Sequence, residues 1–285
     1  MTDRKKVTLP ALFQKVADRE PITMLTCYDY PTASFQEQAG VDMILVGDSL
    51  GMTMLGYDST LPVTMDDMIR HTQAVRRGAP TAWLLGDMPY MSYQPSVETA
   101  IRSAGRFMAE AGCDAIKLEG GAEMADRMAG IVAAGIPAMG HLGLTPQSVS
   151  ALGGFRLQGK DARRAKKIVD DAKALEQAGA FAILLEMVPD RVCALITERA
   201  RDCFIISLGS GPQAHGQLLI YHDMFGLYPK FKPRMAKLFA DAGAVIRDGL
   251  QSYVEEVRKR EFPAPENYFA MKDEEYQELL KLLER

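Results

Sequence analysis

Val46-Gly47-Asp48-Ser49-Leu50-Gly51-Met52-Thr53 begins where a short apolar run, Met43-Ile44-Leu45-Val46, stops at a glycine and gives way to a carboxylate and a hydroxyl. A buried parallel strand whose C-terminal tip faces a cavity ends in this way. Asp48 alone has two readings. It is an N-cap or turn residue, for which Asp and Ser are both suited, or it is a metal or substrate ligand. The weight falls on what the rest of the chain does with the same pattern.

Working outward, strand-like and helix-like stretches alternate. Strands are expected at Ile22–Thr26, Met43–Val46, Ala82–Leu85, Ala115–Leu118, Pro137–Met139, Phe181–Leu185, Phe204–Ser207 and Leu218–Tyr221. Between most of them lie Ala-rich amphipathic stretches that end in glycine, among them Thr32–Gly40, Val97–Gly112, Ala122–Gly135 and Ala162–Gly179. Glycine after a helical stretch is the usual stop before an αβ turn. Eight strands alternating with helices predict a parallel sheet, and eight in one domain favour the closed (β/α)8 barrel, the TIM-barrel class, over an open doubly wound sheet. No GxGxxG follows the first strand, which speaks against dinucleotide binding.

The flanks read differently. Thr8-Leu9-Pro10-Ala11-Leu12-Phe13 predicts a short helix, Thr8 capping it and Pro10 in its first turn, placed to cover one end of the barrel. Past Asp223 the barrel pattern stops. Arg234–Arg260 reads as one long helical pattern, Phe262-Pro263-Ala264-Pro265 interrupts it, and Asp273–Arg285 predicts a last helix, acidic at its start and basic at its end. The expectation is a single domain over 1–285, with its core at about 22–226 and C-terminal helices from about 234 for packing or oligomer contacts.

Composition narrows the function classes. The 285 residues are 47% hydrophobic and 25% charged, with 33 basic against 37 acidic residues and a formal net charge of −4. The basic residues are scattered, so neither nucleic acid nor an anionic membrane is an expected partner. No apolar run approaches the roughly 20 residues that span a bilayer. Met1-Thr2-Asp3-Arg4-Lys5-Lys6 is not followed by the apolar core of a secretion signal. Cys27, Cys113, Cys193 and Cys203 have no CxxC or ligand spacing, and three of them lie in or beside apolar runs, where a free thiol behaves as a small core residue. A cytoplasmic, reduced protein is the expectation.

Active sites of such barrels sit at the C-terminal ends of the strands. There the chain places Asp48 after strand two, Asp87 after strand three, Lys117 and Glu119 on strand four, His141 after strand five and Glu186 after strand six. Each has a plain structural reading. Asp48 is a cap, Asp87 a turn residue before Met88-Pro89, Lys117 a partner of Glu119, and His141 a donor to a neighbouring carbonyl. Glu186 is hardest to read so, since it follows Phe181-Ala182-Ile183-Leu184-Leu185 with no turn residue beside it. Six ionisable groups on five consecutive strand ends exceed what turn chemistry needs. Neighbouring strands lie about 4.8 Å apart, so Asp48, Asp87 and Glu119 can converge, and three adjacent carboxylates repel unless a cation or shared protons relieve them. Hard oxygen ligands without a His/Cys cluster favour Mg²⁺ over zinc. Lys117 and Glu119, two apart, face the same side of their strand. The other histidines carry less: His71 is expected on a surface helix, His215 in a Gly-rich loop, and His222-Asp223 as a hydrogen-bonded pair at the mouth.

These residues, with their neighbours, carry a resemblance. Val46 to Thr64, Arg76-Arg77-Gly78-Ala79-Pro80, Lys117-Leu118-Glu119-Gly120-Gly121 and Gly140-His141-Leu142-Gly143-Leu144-Thr145-Pro146-Gln147-Ser148 are similar to the ketopantoate hydroxymethyltransferase (3-methyl-2-oxobutanoate hydroxymethyltransferase) family. So are Gly153-Gly154-Phe155, Gln158-Gly159 and Leu185-Glu186 with Val188-Pro189. The resemblance runs from about Ile22 to Gly226. It implies a Mg²⁺-dependent (β/α)8 barrel, usually a homodecamer. That enzyme moves a hydroxymethyl group from 5,10-methylenetetrahydrofolate to 3-methyl-2-oxobutanoate through a Mg-stabilised enolate, giving 2-dehydropantoate for pantothenate synthesis. Carried over residue by residue, Asp48, Asp87 and Glu119 match the metal site, with Asp48 and Asp87 also at the substrate. Ser49 and Lys117 match substrate contacts, Glu186 the general base, and His141 a group holding a carboxylate or a water behind them.

One region departs. The family typically reads Ile-Gly-Ile-Gly-Ala-Gly and then Asp-Gly-Gln after strand seven, where this chain has Ile206-Ser207-Leu208-Gly209-Ser210-Gly211 and then His215-Gly216-Gln217. Two rivals remain at this level. A Mg²⁺-dependent 2-keto-acid lyase or mutase of the phosphoenolpyruvate mutase and isocitrate lyase type would use the same strand-tip acids, although the KKCGH loop of the lyases is absent here. A non-catalytic homologue would keep the barrel for assembly or binding, against which stands the cost of acids crowded at one mouth.

Overall fold

The computed structural model describes residues 4–154, 156–231 and 233–284. Eight parallel strands close into a barrel in chain order: β1 Ile22–Thr26, β2 Met43–Val46, β3 Trp83–Asp87, β4 Ala115–Glu119, β5 Ala138–Gly143, β6 Ala182–Glu186, β7 Phe204–Leu208 and β8 Gly216–Leu219. Each pairs with the next, and β8 returns to β1 through Ile22↔Gly216. The (β/α)8 expectation is met. β3, β5 and β6 run further than the apolar runs suggest, so Asp87, Gly143 and Glu186 are themselves paired strand residues. β8 sits earlier than expected, because Ile22 N–H donates to the His215 carbonyl and a short helical turn already starts at Tyr221.

Alternation of side chains across each strand builds two cores. One face packs on the surrounding helices, with Ile44, Val46, Leu84, Ile116, Leu118, Ile183, Leu185 and Ile205 buried there. The other fills the barrel with Met24, Met43, Leu45, Leu85, Ala115, Met139, Leu184 and Ile206. At the N-terminal end the fill is aromatic: Trp83, Phe181 and Phe204 meet edge to face, and the helix Leu9–Ala17 closes that end through Leu12 and Phe13, whose ring lies 5.5 Å from Phe204. Burying a ring such as Phe204 stabilises by about 1.5–3 kcal/mol over leaving it exposed. A sealed apolar floor leaves the C-terminal mouth as the place for polar groups.

The outer helices begin where short polar side chains cap them. Asp29, Thr64, Ser96 and Asp161 each accept from a first-turn N–H, and Thr64 with Asp67 forms a reciprocal capping box. The long C-terminal helix spans Ala242–Lys259, not the expected 234–260. The preceding segment bends back over the mouth: Phe239 N–H donates to the Met224 carbonyl, and Asp241 caps the helix at Ala244 N–H. Gly243 allows that approach, since a Cβ there would collide with the Gly226 carbonyl. The last helix spans Asp273–Leu283. Phe155 of the quoted Gly-Gly-Phe string, the end residue Arg285 and the first three residues lie outside the described residues. Among the described residues no helix is long and apolar enough to cross a membrane, and the four cysteines are buried and free.

Candidate active site

Inward-facing positions in the last layer of each strand converge on one cavity of about 670 Å³ at the C-terminal mouth. From β2 to β6 its lining includes Asp48, Ser49, Asp87, Lys117, Glu119, His141 and Glu186, every residue singled out from the sequence. From β7 through β8 to β1 the equivalent positions are Leu208, Ile220 and Thr26. Alternation explains why Lys117 and Glu119 share this layer while Ile116 and Leu118 face the helices.

The carboxylates are tied to one another and to two cations. Asp87 Oδ2 accepts from Asp48 N–H at 3.0 Å. Lys117 Nζ stands 2.7 Å from Asp87 Oδ1 and 3.8 Å from Glu119 Oε1. His141 bridges two acids, its Nδ1 3.3 Å from Glu119 Oε1 and its Nε2 3.2 Å from Glu186 Oε2. The lysine contact at Asp87 Oδ1 and the histidine contact at Glu186 are close in charge but off the hydrogen-bond line, which leaves Asp87 Oδ1 and His141 Nε2 without a hydrogen-bond partner. Ser49 Oγ is 2.8 Å from the Tyr28 hydroxyl.

Proton affinities follow from this crowding. Burial, then the charges of Asp87 and Glu119, hold the Asp48 carboxyl well above its usual range. Burial raises Asp87 as well, against the pull of Lys117. Burial also pushes Glu119 up, but the His141 hydrogen bond and the Lys117 charge win and bring it below its usual range. Burial and Lys117 oppose a proton on His141, yet the nearby Glu119 and Glu186 carboxylates lift it to about 9. Burial disfavours charge on Lys117, and Asp87, Glu119 and Asp48 more than offset that. Lys117 Nζ also stands 3.3 Å from His141 Nδ1, with Glu119 Oε1 lying near both.

Gln147 is the residue that sequence reasoning passed over, although it lay inside a quoted string. Its Nε2 donates to Asp48 Oδ2 and to the Met88 carbonyl, both at 2.9 Å. Its Oε1 accepts from the Tyr93 hydroxyl at 2.8 Å and from Gln94 at 3.0 Å. Its backbone N–H donates to Glu119 Oε2 at 3.0 Å. The Met88 carbonyl can only accept, so the amide orientation is determined. One buried glutamine thus ties the tips of β2, β3 and β4 together. The signal for it is spatial: the residues it joins lie 99, 59 and 28 positions away.

Three sequence readings change. His71 is half-buried and reaches the Tyr28 carbonyl at 2.6 Å. His222 and Asp223 do not bond each other: His222 packs its ring 5.3 Å from Tyr28, while Asp223 lines the cavity. Among the described residues the Asp223 carboxylate has no hydrogen-bond or salt-bridge partner. Burial, then the Glu186 charge, raises it to about 6. The departures from the family pattern are absorbed by backbone: Ser207 Oγ accepts from Ser210 N–H, Ser210 Oγ donates to the Leu185 carbonyl, and His215 Nδ1 accepts from Ile205 N–H. None of the three is among the residues lining the mouth.

Asp48, Asp87 and Glu119 fit a divalent cation by their chemistry. Fully ionised, the carboxylates of 48, 87, 119 and 186 outnumber Lys117 and a protonated His141 by two charges. Asp87 Oδ1 is a buried oxygen without a hydrogen bond, and the donors are hard oxygens. They do not form a finished cage, since Lys117 stands between Asp87 and Glu119, and among the described residues no three His, Cys, Asp or Glu side chains form a ready cluster.

Comparison with known proteins separates fold from family. In fold the chain is similar to a phosphonopyruvate hydrolase solved with oxalate and Mg²⁺ (TM-score 0.61, 15% identity, covering 97% of this chain and 96% of that one). It is similar also to a 2,3-dimethylmalate lyase (TM-score 0.60, 12% identity, 91% and 92%). At such identity the likeness concerns the barrel alone. In sequence it is 50% identical over 269 residues to the 3-methyl-2-oxobutanoate hydroxymethyltransferase of Carboxydothermus hydrogenoformans, covering 94% of this chain and 97% of that one. It is 52% identical over 257 residues to the enzyme of that name from Geobacillus kaustophilus, covering 90% and 92%. The model of the family described as ketopantoate hydroxymethyltransferase matches residues 6–265. With half its residues shared along nearly its whole length, the chain belongs to the ketopantoate hydroxymethyltransferase family.

Proposed function

We propose that this chain transfers a hydroxymethyl group from 5,10-methylenetetrahydrofolate to 3-methyl-2-oxobutanoate, giving 2-dehydropantoate and tetrahydrofolate in pantothenate synthesis. The observation that carries the reading is the arrangement of the buried acids: Asp48, Asp87 and Glu119 are gathered by Gln147 and Lys117, while Glu186 stands apart beyond His141. Asp48, Asp87 and Glu119 would hold Mg²⁺, which supplies Lewis-acid stabilisation of charge developing on the keto oxygen. Lys117 pairs with the substrate carboxylate, and Ser49 adds a hydrogen bond. Glu186 takes the proton from carbon 3, a step worth about 10²–10⁴-fold from a positioned base. His141, set between Glu119 and Glu186, orients the base. The methylene carbon then forms bonds to carbon 3 and to a water oxygen while its bonds to N5 and N10 of the folate break, and the carbon-3 proton and one water proton end on those two nitrogens.

The chain assembles as a homodecamer in the cytoplasm. Val245, Ile246, Leu250, Tyr253 and Val257 of the helix Ala242–Lys259 are exposed, which supports self-association; light scattering of the purified protein tests it. The activity is tested by following the keto acid to 2-dehydropantoate with methylenetetrahydrofolate, with added Mg²⁺ and with EDTA. Product only in the presence of all three components is the expected outcome. Phosphonopyruvate or 2,3-dimethylmalate turned over instead would overturn the reading.

A further inference from the structure

The cavity is larger than a branched 2-keto acid requires. Its volume of about 670 Å³ lies within the roughly 300–1,000 Å³ of sites for drug-sized ligands. The acids, lysine and histidine occupy the β2–β6 side. The opposite side is walled by Leu157, Met187, Leu208, Tyr228 and Met235, so a second, flatter and less polar molecule has a place there. Two charged groups interrupt this wall, Asp223 and the exposed Arg234 of the segment before the C-terminal helix, and among the described residues no salt bridge joins them. Asp223 sits on the short helical turn Tyr221–Met224 after β8, and that turn is anchored by Tyr221 N–H donating to Thr26 Oγ1 at 3.0 Å and by the buried His222 ring against Tyr28. A half-buried carboxylate without a partner is costly unless something donates to it.

We propose that the β7–β1 side of the mouth seats the pterin ring of the folate donor, with the Asp223 carboxylate accepting from the ring's N3–H and 2-amino group. The assignment rests on the folate-dependent reading above and specifies where that donor lies. The 2-amino-4-oxo edge of a pterin presents two parallel N–H donors, the counterpart of the two oxygens of a carboxylate and the same fork that makes arginine–carboxylate pairs strong. The ring faces then lie against Leu208 and the thioether of Met187 or Met235, which suits a flat π system. Asp223 and Glu186 line the same cavity, so a ring held at Asp223 extends towards the base on β6. That is the direction in which the methylene carbon must point to meet carbon 3 of the keto acid. Asp223 is a binding residue in this scheme and takes no part in proton removal.

The test is a calorimetric titration of the Mg²⁺-loaded enzyme with tetrahydrofolate and with its 2-desamino analogue, on the wild type and Asp223→Asn. Loss of a bidentate, charge-assisted contact predicts about 10²-fold weaker tetrahydrofolate binding in the variant. The wild type should discriminate against the 2-desamino analogue, and the variant should bind both alike, the coupling expected of groups in direct contact. Wild-type affinity in Asp223→Asn, or equal discrimination by both proteins, overturns the seat. Should Asp223→Asn fail to fold by circular dichroism, Asp223→Glu retains a carboxylate and should keep the discrimination; its loss there also overturns the proposal. A wild type that neither binds tetrahydrofolate nor forms 2-dehydropantoate overturns the donor reading itself, whereas normal turnover with an indifferent Asp223→Asn overturns only the seat.

Discussion

The two sides of the barrel mouth solve opposite problems with the same backbone. From β2 to β6 the last inward layer is Asp48, Asp87, Glu119, His141 and Glu186, each within reach of another polar side chain. From β7 to β1 it is Leu208, Ile220 and Thr26, with Asp223 and the exposed Arg234 as the charged groups among aliphatic and aromatic ones. The first side is an electrostatic lattice in which removing one member leaves its partners buried and uncompensated. The second is a shaped surface in which each group acts nearly by itself. Substitutions should therefore propagate on the first side and stay local on the second.

The largest effect is expected where the lattice meets the substrate. Glu186→Gln keeps the shape and neutralises the base, so exchange of the carbon-3 proton of 3-methyl-2-oxobutanoate with solvent deuterium should slow by about 10²–10⁴-fold. Proton NMR of the keto acid in D₂O reads it directly, and exchange at the wild-type rate would remove Glu186 as the base. Asp87→Ala comes next. It removes the partner of Lys117 and the acceptor of Asp48 N–H together, so the fold should lose about 3–5 kcal/mol. Metal-dependent binding of the keto acid should weaken in the same variant. Urea denaturation and calorimetric titration check the two halves; a variant with normal keto-acid binding would mean that the acids do not act as a set.

Gln147→Leu sharpens the comparison further, because it touches neither substrate nor catalytic proton. It removes the bonds to Asp48 Oδ2 and the Met88 carbonyl and strands the Gln94 donor, while the Tyr93 hydroxyl keeps the Glu119 carbonyl as acceptor. Loss of such a supporting partner typically costs about 10–100-fold in metal affinity. Mg²⁺ titration should show that drop, with Gln147→Glu no better, since a carboxylate there faces Asp48 and a carbonyl oxygen. Unaltered Mg²⁺ affinity would reduce Gln147 to a loop tie.

What the sequence discloses and what it withholds follow the same division. The barrel is legible because the strands are compact apolar runs, and from β2 to β6 they end in polar tips, as at Met43–Val46 before Asp48 and Ala182–Leu185 before Glu186. The charged side of the mouth is legible for the same reason, being made of strand tips. Gln147 is not, because its contacts come from chain distances that no local pattern encodes. The segment before the C-terminal helix is misread as helix because its apolar periodicity continues, while backbone bonds to Met224 and Phe225 hold it over the mouth instead. Asp223 reads as half of a His-Asp pair from spacing alone, and only the packing of His222 on Tyr28 shows that the two side chains diverge.

The smallest effect belongs to that isolated acid, and it is the one that most directly distinguishes the two sides. Asp223 binds its proton more tightly in the folded chain, at about 6 against the ordinary 3.8. The sign follows from linkage: a raised carboxyl favours the native state while protonated, so its contribution is complete below pH 3.8 and disappears as pH rises through about 6. Asp223→Asn removes the titration. The variant should therefore gain stability relative to the wild type between those two values and hold a constant lead above them, read as the difference in urea midpoints at each pH. The gain should be modest, because the carboxylate is only partly withdrawn from water. A difference independent of pH would mean that the carboxylate is already solvated or paired, and Asp223 would then have no uncompensated charge to offer a ligand.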